Sequence, residues 1–481
     1  MMAPDDNPIQ RLLIDTAHSP SEFNKLPTET MVEIFHNCLP TSPLDQRQPD
    51  TTIAPMLLCH VSSIWRSIAM STPSLWISLN YAWGEIFDSQ IYWPIESPFL
   101  KWWTANLQSA HGMVHLELDG FRGEGRYQTM VVELDSDAKS DDNDMVFEPL
   151  VGNAQGLYLG RTIIVPLWSH FSEHHLNCPN LQSLFIDQEQ ISVNQMTELR
   201  LTNDLDAIPI RFSKNLKRFI RHGDFFLVPL HPQIQDHIPW AQLTHVSIRT
   251  LMLTVTGWYT FIRCLLSLQF GDFHTTQMFT PPQSPFDFGT SQPHVCLDHV
   301  KTLNLCIKQN TLEFNPLQNL SLPNLTRLVI YIKDTTLDAV SSIFQSCPRL
   351  QDLRLALVYI RMDSPSSTST TRLWDCVPEL QRLTVDVNRV IYSLDPAAAI
   401  IVMQGWINSL SSRWLCLECP PESFRRLSFT ALGGEDELSA LQSGIQRHCS
   451  LLGLPTWVEV DVHKTVDSEW NILATELRSW M

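Results

Sequence analysis

The chain has 481 residues, of which 44% are hydrophobic, and its formal net charge is −18 at pH 7. This length is too great for one ordinary compact core, so we expect several domains or an elongated array of repeats. The plentiful apolar residues exclude a disordered protein, and the negative charge argues against a nucleic-acid partner, because affinity for phosphate comes from lysine and arginine.

Residues 1–22 form a predicted N-terminal tail, because they are polar and show little apolar pattern. They lack the apolar run of a signal peptide. The longest strongly apolar stretch, Ala397 to Met403, is far shorter than the ~20 residues that a membrane span needs. We therefore expect no membrane contact and a cytoplasmic or nuclear location, which also suits the 11 irregularly spaced cysteines.

Residues 26–39 predict an amphipathic helix. Apolar side chains recur there at helical spacing, namely at Met31, Ile34, Phe35, Cys38 and Leu39. Pro27 suits the first turn of a helix, where the missing N–H costs nothing. Pro40 ends the helix, because the residue before a proline avoids the helical conformation.

A second, longer helix is predicted after a loop at residues 41–54. One apolar stripe runs along it and stops before Ser71-Thr72-Pro73; it comprises Leu57, Leu58, Val61, Ile64, Trp65, Ile68 and Ala69. Neither helix can bury its stripe alone, so we expect the two to pack on each other and on Leu75-Trp76. A helical hairpin that only caps the rest of the chain is the simpler interpretation.

Four short motifs stand in and beside these helices: Leu26-Pro27-x-Glu29, Ile34-Phe35, Val61-x-x-x-Trp65 and Pro73-x-Leu75-Trp76. Together they make residues 23–79 resemble an F-box of the kind common in fungal F-box proteins. The resemblance implies a small helical domain that binds Skp1, the linker subunit of cullin-RING ubiquitin ligases. The implied Skp1 contacts are Leu26, Pro27, Glu29, Ile34 and Phe35. The implied domain core is Met31, Val61, Trp65, Leu75 and Trp76. The loop at residues 41–54 is longer than usual for this family.

The rest of the chain repeats the string Pro-x-Leu-x-x-Leu-x-aliphatic. Full copies begin at Pro179, Pro323, Pro348 and Pro378. Copies without the proline are Leu216-x-x-Phe219, Leu243-x-x-Val246-x-Ile248, Leu265-x-x-Leu268-x-Phe270, Val300-x-x-Leu303-x-Leu305 and Phe424-x-x-Leu427-x-Phe429. The first two copies are predicted at Met113-x-x-Leu116-x-Leu118 and Ala154-x-x-Leu157-x-Leu159. The segments between copies can be helical, as in Leu337, Val340, Ile343 and Phe344, with Thr335 or Thr336 as a cap.

This pattern resembles a degenerate leucine-rich-repeat domain, a family with a period of about 20–29 residues. The predicted fold class is therefore α/β: a small helical F-box module followed by a leucine-rich-repeat solenoid with parallel strands stacked on its concave face. The predicted organisation is a tail at 1–22, the F-box-like domain at 23–79, a connecting segment at 80–110, the repeats at 111–430 and a C-terminal cap at 431–481.

Residues between the core leucines of each strand are expected on the concave face, where solenoids often bind partners. Possible contacts with a target protein are Arg327, Tyr331, Asp352, Arg354, Arg382 and Asp386. Their mixed charges suit a protein or peptide better than a small metabolite. This assignment depends on strand register, because a slip of one residue turns each of these side chains into the core.

No motif predicts a metal, a cofactor or catalysis. Cys416-x-x-Cys419 stands alone, whereas a structural zinc needs four ligands. The acidic stretch from Asp135 to Asp144 lacks the glycine that a calcium loop needs, and the chain has no phosphate-binding loop, serine elbow or metalloprotease motif.

Three functions follow from these observations. The first is a substrate-recognition adaptor of an SCF-type cullin-RING ubiquitin ligase, which binds Skp1, and a cullin through it, and captures a target protein with its repeats. The second is a non-degradative scaffold that uses only the repeats. The third is an enzyme with an unfamiliar site, which would need a deep pocket with convergent titratable groups.

Overall fold

The structure is a computed structural model of the whole chain. It describes residues 25–39, 52–76, 78–83, 86–87, 90–91, 113–118, 155–159, 176–188, 210–212, 214–223, 238–279, 294–307, 317, 320–336, 343–361, 376–386, 422–431, 435–451 and 458–464. The predicted tail at 1–22, the acidic stretch at 135–144, and Cys416 and Cys419 lie outside these residues. Among the residues that are described, no helix has both the length and the apolar character of a membrane span.

A small helical unit opens the described chain. It contains α1 (Thr28–Cys38), α2 (Met56–Val61), α3 (Ser63–Met70) and a 3-10 turn (Pro73–Trp76). Helix α1 starts directly after Pro27, whose carbonyl accepts the Met31 N–H at 3.1 Å. The first helix of the unit is therefore confirmed close to its predicted position.

The predicted second helix is interrupted at Ser62, which has an extended backbone between α2 and α3. The Ser62 hydroxyl accepts the Trp65 N–H at 3.1 Å and so caps the start of α3. Across the break, the Arg66 side chain donates to the Cys59 carbonyl at 2.8 Å. The apolar stripe predicted for one continuous helix is thereby divided between two differently placed helices.

Aromatic side chains hold the helical unit together. The rings of Phe35 and Trp65 lie 4.9 Å apart between α1 and α3, and the Trp76 indole N–H donates to the Ala69 carbonyl at 2.8 Å. The buried residues of the unit are Met31, Phe35, Ala54, Leu58, Cys59, Ala69, Leu75 and Trp76. They belong to the same continuous apolar cluster as the core of the large sheet that follows.

Strands dominate the rest of the described chain. In chain order they are β1 (Ser78–Trp83), β2 (Ile86–Phe87), β3 (Gln90–Ile91), β4 (Met113–Leu118), β5 (Gly156–Leu159), β6 (Leu176–Cys178), β7 (Ser183–Gln188), β8 (Ile210–Phe212), β9 (Arg218–Gly223), β10 (His245–Thr254), β11 (Phe270–Phe279), β12 (Val295–Cys296), β13 (Thr302–Ile307), β14 (Leu320–Ser321), β15 (Arg327–Thr336), β16 (Asp352–Arg361), β17 (Arg382–Asp386), β18 (Arg426–Ala431) and β19 (Glu459–Lys464). The further helical segments include α4 (Val255–Cys264), α5 (Glu435–Leu451) and a 3-10 turn (Trp240–Gln242).

Thirteen of these strands form one sheet, and they lie side by side in the order in which they occur in the chain: β1, β4, β5, β7, β9, β10, β11, β13, β15, β16, β17, β18 and β19. All the pairings between them are parallel. The predicted α/β class and the parallel strands are confirmed. The sheet begins at residue 78 and ends at residue 464, so it extends beyond the predicted repeat bounds of 111–430 at both ends.

The main core lies against one face of this sheet. In the strands of this sheet from β7 to β18, the second and fourth residues point into the core, and most are fully buried leucine, isoleucine, valine or phenylalanine. In β15, for example, these residues are Leu328 and Ile330. From β5 to β17 of this sheet, the residue before each strand accepts two backbone N–H groups from the start of the next strand, as the Lys301 carbonyl does from Thr326 and Arg327.

The repeated Pro-x-Leu string has a structural explanation in a tight turn before each strand. The Leu325 N–H donates to the Leu322 carbonyl at 3.1 Å, and Leu181, Leu350 and Leu380 make the same bond three residues back. Proline occupies the second position of such a turn, where its fixed φ is favourable. Copies without proline keep the bond, as between Leu268 and Leu265 at 3.1 Å.

Two predicted copies of the string are in the wrong frame. Register pairs Gly271 with Leu303 and Phe273 with Leu305, so the copy on β11 reads Leu268-x-x-Gly271-x-Phe273, three residues later than predicted. The cause is Gly271, which occupies the position where the repeated string has leucine, so the string is not recognisable in the sequence. On β4, Val114 pairs with Leu157 in β5, so the copy there lies two residues earlier than predicted.

The predicted helix cap at Thr335 or Thr336 is also wrong. Strand β15 continues to Thr336, and these two threonines pair with Ile360 and Arg361 in β16. Residues 343–344 are helical, as predicted, and both side chains are buried. The strand extends further because Tyr331 and Ile332 continue its alternating apolar pattern past the predicted end.

Candidate functional site

The residues predicted to contact Skp1 lie at the start of the helical unit, but they differ in accessibility. Pro27 and Glu29 are exposed, and Leu26 and Ile34 are half-buried at the edge of the core. Phe35 is fully buried against Trp65. The expectation that Phe35 is free to touch a partner is therefore wrong, because the 3.6-residue period turns it into the core.

Of the five residues predicted as the core of this unit, four contribute to it as expected. Met31, Leu75 and Trp76 are buried, and Trp65 packs against Phe35. Val61 is a correction: it is 53% exposed. It is the last residue of α2, immediately before the break at Ser62, and the break removes it from the packed stripe.

Large apolar side chains are exposed mainly on this helical unit. Among the described residues six are exposed, and four of them lie on α2 and α3: Leu57, Val61, Ile64 and Met70. We call these four the apolar helical set. Leu57 and Val61 lie one turn apart on α2, and Ile64 lies in the first turn of α3. Exposed apolar residues concentrated in this way make this unit a candidate surface for an interface.

The second candidate site is the sheet face opposite the core, formed in β7 to β18 by the first, third and fifth residue of each strand. We call it the polar face. All eight buried polar or charged side chains among the described residues lie on it: Ser183, His222, Ser247, Asp272, Asn304, Asp386, Ser428 and Thr430. One face of the sheet thus carries the apolar core and the other carries the buried polar chemistry.

All six predicted target-binding residues lie on the polar face. Arg382 is exposed, while Arg327, Asp352 and Arg354 are partly exposed. Tyr331 and Asp386 are buried, so the expectation of an open surface is wrong for these two. They occupy the fifth strand position, where Tyr331 packs in a separate small cluster with Cys306 and Ala356.

Ion pairs link neighbouring strands along this face. Arg327 Nε lies 3.9 Å from Asp352 Oδ2, and Arg354 Nη2 lies 3.8 Å from Asp386 Oδ2. Arg426 Nε donates to Asp461 Oδ2 at 2.7 Å. Within the described parts of β15 to β18, Arg382 is the arginine of this face that has no carboxylate partner, although it lies between Asp352 and Arg426 in register.

A buried hydrogen-bonded chain crosses β9, β10 and β11. Ser247 Oγ donates to Asp272 Oδ2 at 2.7 Å, and His274 Nε2 donates to Asp272 Oδ1 at 3.1 Å. His222 Nε2 lies 3.0 Å from Ser247 Oγ. Because the single serine proton is directed at the carboxylate, His222 Nε2–H is the donor to Ser247.

The surroundings of His222 and Asp272 determine their protonation states. Burial, together with the positive charge of Arg249, lowers the pKa of His222 to about 3. Burial alone would raise the pKa of Asp272, but His274, Arg249 and the Ser247 hydroxyl outweigh it and hold that pKa well below its usual range. At neutral pH the carboxylate of Asp272 is therefore ionised and the His222 ring is neutral.

Serine, histidine and aspartate lie together here, but the arrangement does not make Ser247 a nucleophile. In a catalytic triad the histidine accepts the serine proton and the aspartate orients the histidine. Here the serine donates to Asp272, and the histidine donates to the serine. Ser247 and Asp272 are also fully buried, so a substrate does not reach them. The constellation stabilises and orients the strand face.

Next to these residues lies Asn304, whose side chain has no hydrogen-bond partner among the described residues. It pairs in register with Asp272, is 3% exposed, and neither its Nδ2 nor its Oδ1 has a partner in the described part of the chain. Thr430 on β18 is also buried, and its hydroxyl likewise has no hydrogen-bond partner among the described residues. Buried polar atoms without partners are rare and costly, and each one calls for a physical explanation.

The sequence alone does not reveal this network, although part of its signal is visible there. Ser247 and Asn304 each stand between two core positions of a predicted copy, in Val246-x-Ile248 and Leu303-x-Leu305. Asp272 was hidden by the misplaced frame on β11. His222 follows Arg221 in the sequence without any pattern that marks it as part of a site, and contact between these residues depends on which strands are neighbours.

The described residues contain no group of three or more histidine, cysteine, aspartate or glutamate side chains that could hold a metal ion. Burial raises the pKa of the Cys178 and Cys347 thiols to about 12, so both stay protonated at neutral pH. No protein-family model matches the chain. No curated protein matches it either.

Proposed function

We propose that the chain is a substrate-recognition adaptor of an SCF-type ubiquitin ligase in the cytoplasm or the nucleus. In this proposal the helical unit is an F-box that binds a Skp1-like linker, and the parallel sheet is the strand stack of a leucine-rich-repeat solenoid that captures a target protein. The adaptor performs no chemistry itself; it raises the concentration of the target near a ubiquitin-charged enzyme.

The apolar helical set carries this proposal. Four exposed apolar residues within 14 positions of the chain, from Leu57 to Met70, are an unfavourable surface for a free protein and a favourable one for an interface. Exposed Pro27 and half-buried Leu26 stand at the start of the same unit, where the motif places its partner contacts. Proline also fixes the backbone in advance and lowers the ordering cost of binding.

The test is a binding measurement between the purified full-length chain and a purified Skp1-like protein. We expect Val61→Asp, and separately the double variant Leu26→Ala with Pro27→Ala, to weaken binding at least about tenfold, because each removes apolar contact area or places a charge in it. Leu266→Asp is the matched control, since Leu266 is 56% exposed but lies outside the helical unit.

Unchanged binding of both interface variants would refute the F-box interpretation. Phe35 is unsuitable for this test, because its loss would open the core and not the surface. A second measurement separates an adaptor from a non-degradative scaffold. If the captured protein is degraded through this chain, its level rises when the chain is removed from cells; a constant level would favour the scaffold.

A further inference from the structure

We propose that the polar face binds an extended peptide segment with an asparagine or glutamine side chain at Asn304 and a carboxylate at Arg382. This inference rests on the proposed function and names the chemistry of the target that the adaptor would capture. It derives from two side chains in β13 to β17 that have no polar or charged partner among the described residues, whereas Asp272, Arg327 and Arg354 beside them are paired.

The carboxamide subsite is Asn304. Its donor and acceptor atoms are both buried and unpartnered in the described chain, whereas both oxygens of the adjacent Asp272 carboxylate already accept bonds from Ser247 and His274. A carboxamide offers one acceptor beside one donor, and the group that satisfies both is another amide. Asn304 is only 3% exposed and both of its polar atoms are covered, so a peptide amide pairs with it only as a side chain that projects into the face and displaces the atoms that cover Asn304.

The anionic subsite is Arg382. Its side chain is exposed, and its neighbours Arg327, Arg354 and Arg426 are each within 4 Å of a carboxylate in the next strand. A guanidinium presents a planar set of donors that suits a carboxylate. Because Arg327, Arg354 and Arg426 already lie near carboxylates, an acidic side chain of a peptide would find its partner at Arg382.

The register fixes the spacing that a peptide must have. Three strand steps separate β13 from β17, and adjacent strands lie about 4.8 Å apart, which gives about 14 Å across the sheet. Asn304 is the third residue of its strand and Arg382 the first of its own, which adds about 7 Å along the strands. The combined distance of about 16 Å equals about five residues of extended chain at 3.3 Å each.

The experiment selects peptides from a phage library of random dodecamers on the immobilised full-length chain. We expect the wild type to enrich peptides with Asn or Gln and Asp or Glu separated by four to six positions. Arg382→Gln should abolish enrichment of the acidic residue and retain enrichment of Asn or Gln. Asn304→Leu should abolish enrichment of Asn or Gln and retain that of the acidic residue. Arg425→Gln is the matched control, because Arg425 is exposed in the turn before β18.

A synthetic peptide from the wild-type selection should bind Arg382→Gln at least tenfold more weakly than wild type. No enriched spacing on the wild type, or enrichment unchanged by Arg382→Gln, would overturn the inference. Thermal unfolding of Asn304→Leu shows whether that variant is folded, and exposed Arg382 gives a result independent of it. Skp1 binding is measured on the same preparations. If the wild type selects no peptides but binds Skp1, the peptide site alone is refuted. If it selects the expected peptides but does not bind Skp1, the adaptor function alone is refuted.

Discussion

Ser247 Oγ donates to Asp272 Oδ2 at 2.7 Å from the neighbouring strand, and neither side chain has measurable contact with solvent. Through Ser247 the carboxylate is linked to His222, and through its other oxygen to His274. The free energy of unfolding should therefore depend on pH, because the folded protein keeps an ionised carboxylate and a neutral histidine where the unfolded chain does not.

The first prediction concerns the free energy of unfolding at acidic pH. The pKa of His222 falls from 6.5 in the unfolded chain to about 3 in the fold. The unfolded state then binds more protons below pH 6.5, so stability is complete above this pH and declines as the pH falls toward 3. At pH 4.5 the loss from His222 is roughly 2–3 kcal/mol, at 1.4 kcal/mol per pH unit. The lowered pKa of Asp272 adds a further loss below about pH 4.

Urea unfolding at several pH values between 7 and 4.5 checks this prediction. His222→Gln keeps an N–H donor for Ser247 but does not titrate, so its stability should decline less on acidification than that of the wild type. His60→Gln is the control, because the His60 side chain is exposed on α2. Equal slopes for wild type and His222→Gln would contradict the assignment.

The second prediction concerns the cap of α3. Ser62→Ala removes the hydroxyl that accepts the Trp65 N–H, which should cost about 1 kcal/mol. Hydrogen exchange followed by mass spectrometry should show peptides covering 63–70 exchanging about fivefold faster, as expected for that loss of local stability. Ser63→Ala is the control, since Ser63 is exposed at the first helical position. The prediction fails if both variants exchange alike.

The third prediction concerns Gly271. A Cβ at this position would lie 2.6 Å from Phe273 Cε2 and 3.0 Å from Leu303 Cδ1. The Phe273 ring is fully buried and packs edge-on against Trp258 and Phe261, with centroids 5.5 and 5.8 Å away, so it has little room to move. Gly271→Ala should therefore destabilise the fold by about 1–3 kcal/mol in urea unfolding.

A double-mutant cycle identifies the cause of that loss. Phe273→Leu shortens the side chain that meets the new Cβ, so the double variant should be more stable than the sum of the two single changes allows, by at least about 0.5 kcal/mol. Strict additivity would show that Gly271 is required for another reason.

The fourth prediction separates paired from unpaired polar residues on one face. Asn304→Leu should leave the stability unchanged or raise it by up to about 2 kcal/mol, because it removes buried polar atoms that have no partner. Ser247→Ala should cost about 1–3 kcal/mol, because it leaves His222 and Asp272 each without one bond. Comparable losses in the two variants would show that Asn304 serves the folded structure and not a ligand.

Turn chemistry and strand alternation carried enough information to predict most of the sheet. The strands that begin after Leu325, Leu350 and Leu380 were predicted because proline, leucine and the next aliphatic residues act together in one turn and strand. The copy on β11 was misplaced because Gly271 stands at a position where other copies have leucine, and the Phe273 ring lies where a side chain of residue 271 would be. A single-residue pattern does not show that a neighbouring ring fills the position of a missing leucine.

In the helical unit, periodicity predicted which residues share a face but not where the helix would break. Val61 and Phe35 both fit an apolar stripe, yet one is exposed and the other is fully buried. The break at Ser62 leaves Val61 outside the packed stripe, and it depends on the cap that Ser62 provides to α3. On the polar face, register showed the side on which Tyr331 and Asp386 lie, whereas their burial depends on neighbours from other strands.

The strictly sequential strand order has a consequence for how such a chain can evolve. Among the described residues, each strand of the sheet pairs only with the sheet strands that come before and after it in the chain, and the carbonyl before one strand is an equivalent acceptor for the start of the next. Duplicating or deleting one complete turn-and-strand segment would leave matching edges on both sides. Lineages of this protein could thus change the reach of the sheet by whole segments while its two terminal regions stay intact.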